Sequence, residues 1–113
     1  MARAATTSDV FNAIAEQQRR EILVLLRARE RPVTELAQEL GMTQPGTSKH
    51  LRVLREVGLV RDRKAGKQRL YRLDARGLRP LHEWTGGFER FWNESFDRLD
   101  AYVKNLEQTR PEE

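Results

Sequence analysis

The sequence predicts a mainly α-helical chain with one small β-hairpin, and three observations predict it. Apolar residues recur at helical spacing through most of the 113 residues, a single stretch at 60–73 changes to partial alternation around a glycine, and the C-terminal segment carries a long aromatic stripe. A chain of this length is expected to form one domain, residues 1–113, whose modest core needs neither disulfides nor a structural metal. With 38% hydrophobic and 34% charged residues it is too apolar to be wholly disordered and too charged to hide much surface, so a partner can bury more. No apolar run approaches the roughly 18 residues of a membrane span and no signal-peptide pattern opens the chain, so a cytoplasmic location is expected. The lack of cysteine excludes disulfides, thiolate metal sites and cysteine nucleophiles.

Taken in order, "TTSDVFNAIAEQQRREILVLLRARE" offers Ser8 as an N-cap, and Val10, Phe11, Ile14, Ile22, Leu23, Leu25 and Leu26 suit two helices meeting near Glu16. After Pro32, "VTELAQELG" predicts a short helix from about residue 33 that Gly41 stops as a left-handed residue. Thr43 caps the next helix, with Gln44 and Pro45 in its first turn, where proline costs little. Two helices joined by a tight turn, over 33–57, are a helix-turn-helix, whose second helix enters the DNA major groove. Gly58 ends that helix, and Val60, Asp62, Leu70, Tyr71 and Leu73 frame a hairpin turning at Ala65, Gly66 and Lys67. From Asp74 a short turn leads to Pro80 and a last long helix, about 79–106.

The stretch "TQPGTSKHLRVLREVGLV" carries leucines and cations together, and a helical wheel separates them. Pro45, Ser48, Lys49, Arg52 and Glu56 share one side, while Thr47, Leu51, Leu54 and Gly58 share the other. Ser48, Lys49 and Arg52, with Gln44 at the N-terminal end, are placed to meet bases, and Glu56 on the same side would be repelled by phosphate, so the helix should diverge from DNA before it. His50 lies nearer the packed side, which favours a half-buried residue with a hydrogen-bond partner over base contact, although it stays among the candidates.

Charge is uneven: net +2 over residues 1–60, +6 over 61–81 and −4 over 82–113. A basic middle beside an acidic C-terminal segment points to a polyanion held by one region, the plain alternative being a solvated arginine-rich loop. Arg61, Arg63, Lys64, Lys67, Arg69 and Arg72 against Asp62 alone make the hairpin suited to phosphate or minor-groove contact.

"SDVFNAIAEQQRREILVLL", "VTELAQELGMTQPGTSKHLRVLREVGLV" and "RKAGKQRLYRL" together resemble the ArsR-type winged helix-turn-helix transcriptional regulators of bacteria, over roughly residues 7–106. The resemblance implies a homodimeric repressor that binds an inverted repeat in double-stranded DNA through the helix from Thr43 and a wing over 60–73. Together with the wheel and the hairpin charges this gives Thr43, Gln44, Pro45, Ser48, Lys49, His50, Arg52, Arg63, Lys64, Lys67 and Arg69 as the expected DNA-binding set. Metal-sensing members carry a cysteine pair at what are here Pro32 and Thr34, and others bind metal on the last helix, where this chain has only His82 followed by Glu83. Neighbouring helical residues point about 100° apart, so that pair is expected to be surface, and the aromatic segment "EWTGGFERFWNESFDRLDAYV" is similar to a non-metal branch. No cofactor is expected.

On the last helix Leu81, Trp84, Phe88, Phe91, Trp92, Phe96, Leu99, Tyr102, Val103 and Leu106 form a stripe about 140° wide, broader than a coiled-coil seam. A second copy of the chain is its natural cover, ahead of an aromatic ligand pocket, with Leu81, Trp84, Phe88, Phe91, Trp92, Phe96 and Leu99 in the dimer interface. Gly86 and Gly87 interrupt it and mark a kink or a close helix crossing. A regulator that binds specific DNA is thus the leading reading, and a winged helix used only for protein interaction is the alternative. An enzyme is disfavoured: two separated histidines and no glycine-rich phosphate loop assemble no nucleophile and base, and Ser48 and His50 diverge by about 160° on the wheel.

Overall fold

The computed structural model describes residues 9–109, so Ser8 lies outside the described residues. The chain divides into two compact units between Leu81 and His82. The first contains α1 (Val10–Ala13), α2 (Gln17–Leu26), β1 (Arg31–Pro32), α3 (Val33–Leu40), α4 (Gln44–Glu56), β2 (Val60–Ala65), β3 (Gln68–Leu73) and a 3-10 turn at Ala75–Leu78. Next come α5 (Arg79–Gly86), in which the division falls, and α6 (Glu89–Thr109). The architecture is a winged helix-turn-helix, as the periodicities predict.

Local chemistry sets each boundary. Asp9, not Ser8, is the observed cap of α1, its Oδ1 accepting from the N–H groups of Phe11 at 2.7 Å and Asn12 at 3.1 Å. Gly41 ends α3 at φ 63°, a conformation that costs glycine nothing. Thr43 Oγ1 then caps α4 by accepting from Gly46 N–H at 3.1 Å. A Cβ at Gly46 would stand 2.9 Å from that oxygen, so the glycine leaves room for the cap.

The core joins Val10 and Ala13 of α1, Ile22 and Leu26 of α2, Leu36 of α3, Leu51 and Leu54 of α4, and Leu59 and Val60. Thr47 is fully buried among them and donates its hydroxyl to Thr43 O at 2.8 Å, which removes the cost of an unpaired polar group. The packed side of the α4 wheel is therefore the buried one.

The hairpin belongs to a three-stranded antiparallel sheet in the order β1-β3-β2, with Arg31 opposite Tyr71, Pro32 opposite Leu70 and Asp62 opposite Tyr71. β1 has two residues and a proline, too little to give an alternation, and it sits on an edge where a missing N–H is tolerated. Buried Arg31 fastens β1 to α3 through ion pairs with Glu35, at 3.1 Å, and Glu39.

Where α4 passes into β2 the backbone is held tightly. Gly58 takes φ 83°, Leu59 N–H donates to Leu54 O at 2.9 Å, and Asp74 N–H donates to Leu59 O at 2.8 Å. The 3-10 turn closes on this joint so nearly that a Cβ at Gly77 would lie 2.2 Å from Gly58 O.

The single long C-terminal helix expected from the sequence is two helices. Gly87 and Phe88 N–H groups turn to Trp84 O and Thr85 O, three residues back, and the helical spacing resumes with Trp92 N–H on Phe88 O. Among the described residues no helix is long and apolar enough to cross a membrane.

Candidate nucleic-acid interface

The outward side of α4 presents Gln44, Pro45, Ser48, Lys49 and Arg52, all exposed. Among the described residues Gln44, Ser48, Lys49 and Arg52 have no side-chain hydrogen bond or ion pair to the rest of the chain. Their donors and acceptors face outward unspent, as base-edge reading requires. Thr43 is exposed but its hydroxyl is engaged as the cap, so it contributes by fixing the first turn.

His50 departs from the groove-facing set. Its Nδ1 accepts from Arg19 Nε at 3.2 Å and its Nε2 meets Gln18 Oε1 at 3.1 Å, so α2 holds both ring nitrogens. Burial, followed by the positive charge of Arg19, pushes the imidazole below its usual pKa, against a smaller opposing effect of Glu16. The neutral ring with its proton on Nε2 satisfies both partners and leaves no nitrogen for a base.

The wing cations fall into two groups. Lys64 and Lys67 are exposed, with no ion pair among the described residues. Arg63 is gripped by Glu30, with Nε 3.0 Å from Oε2 and Nη2 2.9 Å from Oε1, and this hydrogen bonding holds the Glu30 carboxyl below its usual range. Arg69 donates to Asp62 Oδ2 at 2.8 Å. Of the candidates Arg63, Lys64, Lys67 and Arg69, therefore, two have no ion pair among the described residues and two are engaged by carboxylates of the fold. At the base of the wing Asp74 accepts from both Arg76 and Arg61, which keep its carboxyl far below the ordinary range.

The fold brings the separate candidates together. Gln44, from the start of α4, and Lys67 and Arg69, from the wing, line one cleft of about 190 Å3 along with Thr34 and Tyr71. Glu30, Asp62 and Gly77 were missed as contributors. A lone acid in a basic hairpin was the available signal for Asp62, whereas nothing near Glu30 or Gly77 announces a contact so distant in sequence.

Pro32 and Thr34 stand at the edge strand and the first turn of α3, and neither side chain is a soft-metal donor. Among the described residues no group of three or more His, Asp or Glu side chains is placed to hold a metal ion.

Of the interface candidates, Leu81 is half-buried against the core of the first unit and leaves the open stripe. Trp84, Phe88, Phe91, Trp92, Phe96 and Leu99 are 42% to 63% exposed. Trp84 and Phe88 meet edge to face with centroids 5.1 Å apart.

Comparison with known proteins agrees with this geometry. The family profile of bacterial regulatory proteins of the arsR family matches residues 16–62. The HTH-type transcriptional regulator Rv2034 of Mycobacterium tuberculosis is 39% identical over 86% of this chain and 85% of its own length. The arsenical resistance operon repressor of Escherichia coli is 34% identical over 86% of this chain and 81% of its own. Among solved structures, an ArsR-like transcriptional regulator from Rhodococcus sp. RHA1 superposes with a TM-score of 0.60 at 30% identity, covering 88% of this chain and 91% of that one.

Proposed function

The chain belongs to the bacterial ArsR family of transcriptional regulators, and from that premise we propose that it is a sequence-specific repressor that binds an inverted-repeat operator as a homodimer. One observation carries the reading: among the described residues the outward row Gln44, Ser48, Lys49 and Arg52 has no side-chain partner, and it stands beside a wing whose Lys64 and Lys67 have none either. A helix that spent these groups on its own fold could not read a groove. Repression is the activity that the name of the Escherichia coli relative states for that protein.

The exposed aromatic face supports the homodimer. Six large apolar side chains between Trp84 and Leu99 left in water would each forgo about 2 kcal/mol of burial, and a second copy supplies the matching surface. Two α4 helices then meet half-sites about 34 Å apart, or a multiple of that. No metal or other cofactor is part of this reading, and the working place is the cytoplasm, on the nucleoid while DNA is bound.

Selection of bound sites from random duplex DNA by the purified protein tests it, followed by titration of the enriched duplex at rising salt. An enriched inverted repeat with affinity falling steeply in salt is expected. No enriched sequence, together with affinity indifferent to salt, would leave a winged helix used for protein interaction instead.

A further inference from the structure

Asp62 is the only acid within the hairpin, and an acid there opposes a polyanion. Its side chain is only 11% exposed, and its Oδ2 accepts from two guanidiniums at once, Arg55 at 3.3 Å and Arg69 at 2.8 Å. Arg55 lies in the last turn of α4 and Arg69 on β3, where its own cross-strand partner is Lys64. One carboxylate therefore joins the reading helix to both strands of the wing.

The joint at Gly58, Leu59, Asp74 and Gly77 fixes the root of the hairpin, while β1, paired with Tyr71 and Leu70, and Glu30, paired with Arg63, hold it on the side away from α4. On the α4 side, the ion pair that ties the hairpin to the helix is that of Asp62 with Arg55. We propose that Asp62 is a positioning residue that sets the angle of the wing against the reading helix, so that Lys64 and Lys67 reach phosphates in step with Gln44 and Arg52 reaching bases. The inference rests on the DNA-binding reading above and adds to it a source of selectivity that touches no DNA.

Charge and position make opposite demands, which exposes the role to test. Were Asp62 a mere counter-charge, its loss would free Arg55 and Arg69 and strengthen binding to every duplex. As a positioning residue, its loss also unhooks the wing, so the operator loses while unrelated DNA gains.

The experiment compares wild-type, Asp62→Asn, Arg55→Gln and double-variant chains on the selected duplex and on a scrambled one across salt, with thermal unfolding alongside. For Asp62→Asn, operator affinity is expected to fall roughly tenfold, the middle of the range for coupled contacts. Scrambled affinity should hold or rise, with a salt slope steeper by up to about 1 for each cation released. Simple loss of fold would lower both affinities and could not steepen the slope. Arg55→Gln, at a half-exposed position, should lower the ratio of operator to scrambled affinity even if Asp62→Asn does not fold. In the double variant the two losses should not add, because each breaks the same link. Parallel strengthening on both duplexes, an unchanged ratio in Arg55→Gln, or additive losses would overturn the proposal while wild-type selectivity stands. A wild-type chain that selects no sequence would overturn the DNA-binding reading and this inference with it.

Discussion

Arg19 of α2 donates its Nε–H to His50 Nδ1 in α4 across 3.2 Å, so the rotation of α4 is tied to α2. Because burial and Arg19 lower the folded-state pKa of His50, the unfolded chain takes up the proton more readily as pH drops below about 6.5. The contribution of this group to stability is full above that pH and is lost as pH falls towards the folded-state value. Thermal midpoints at about pH 7.5 and about pH 5.5 should differ more for wild type than for His50→Gln, which has no such proton to accept. Equal differences would show that the ring does not couple the helices.

Gly77→Ala should destabilise the first unit by roughly 1 to 3 kcal/mol, as overpacking does, since the new methyl would stand 2.2 Å from Gly58 O and backbone cannot swing aside. Denaturant unfolding measures it. A variant as stable as wild type would mean the joint is looser than its geometry.

Arg52→Ala should relax base preference at one position per half-site, at about 1 to 3 kcal/mol each, whereas Lys67→Ala should weaken all sequences alike and lower the salt slope by about 1 per chain. Arg63→Ala should change the slope less than Lys67→Ala, because Glu30 already occupies the guanidinium. Shift assays on operator and scrambled duplex decide. Altered preference in Lys67→Ala with uniform weakening in Arg52→Ala would reverse the roles.

Trp92→Asp should yield monomer or unfolded chain in sedimentation, since a charge would be buried without a partner at the centre of the aromatic face. Persistence of a wild-type-like dimer would place the interface elsewhere.

Zinc, arsenite and cadmium should leave the DNA complex intact at stoichiometric concentration, because the chain has no cysteine and no cluster of three or more His, Asp or Glu side chains that could hold a metal ion stands among the described residues. Titration of each metal into the complex is the check, and release of DNA would refute the expectation.

What could be read in advance was whatever local chemistry encodes. Gly41, Thr43 and Gly66 are punctuation that acts within a few residues, so the ends of α3, the start of α4 and the hairpin turn were placed from the sequence. The two sides of α4 followed from angle alone, and Thr47, Leu51 and Leu54 are indeed buried. Glu30 with Arg63 lies 33 residues apart in sequence and His50 with Arg19 lies 31 apart, and no periodicity reports which charges meet across such distances. For the same reason no pattern along the chain separates Arg63 and Arg69, which have carboxylate partners, from Lys64 and Lys67. The break at Gly87 is signalled by paired glycines, but the packing of Leu81 against the core is not, because a stripe does not say which apolar neighbour its first residue meets.

Among the described residues the side chains of Gln44, Ser48, Lys49 and Arg52 carry no polar contact that the fold depends on. Substitution at Gln44, Ser48, Lys49 or Arg52 breaks no ion pair and opens no cavity, so fold and binding preference vary almost independently. On the proposed reading, a change of preferred duplex costs the fold little, whereas Gly58, at positive φ, and Gly77, packed on backbone, leave little room for change.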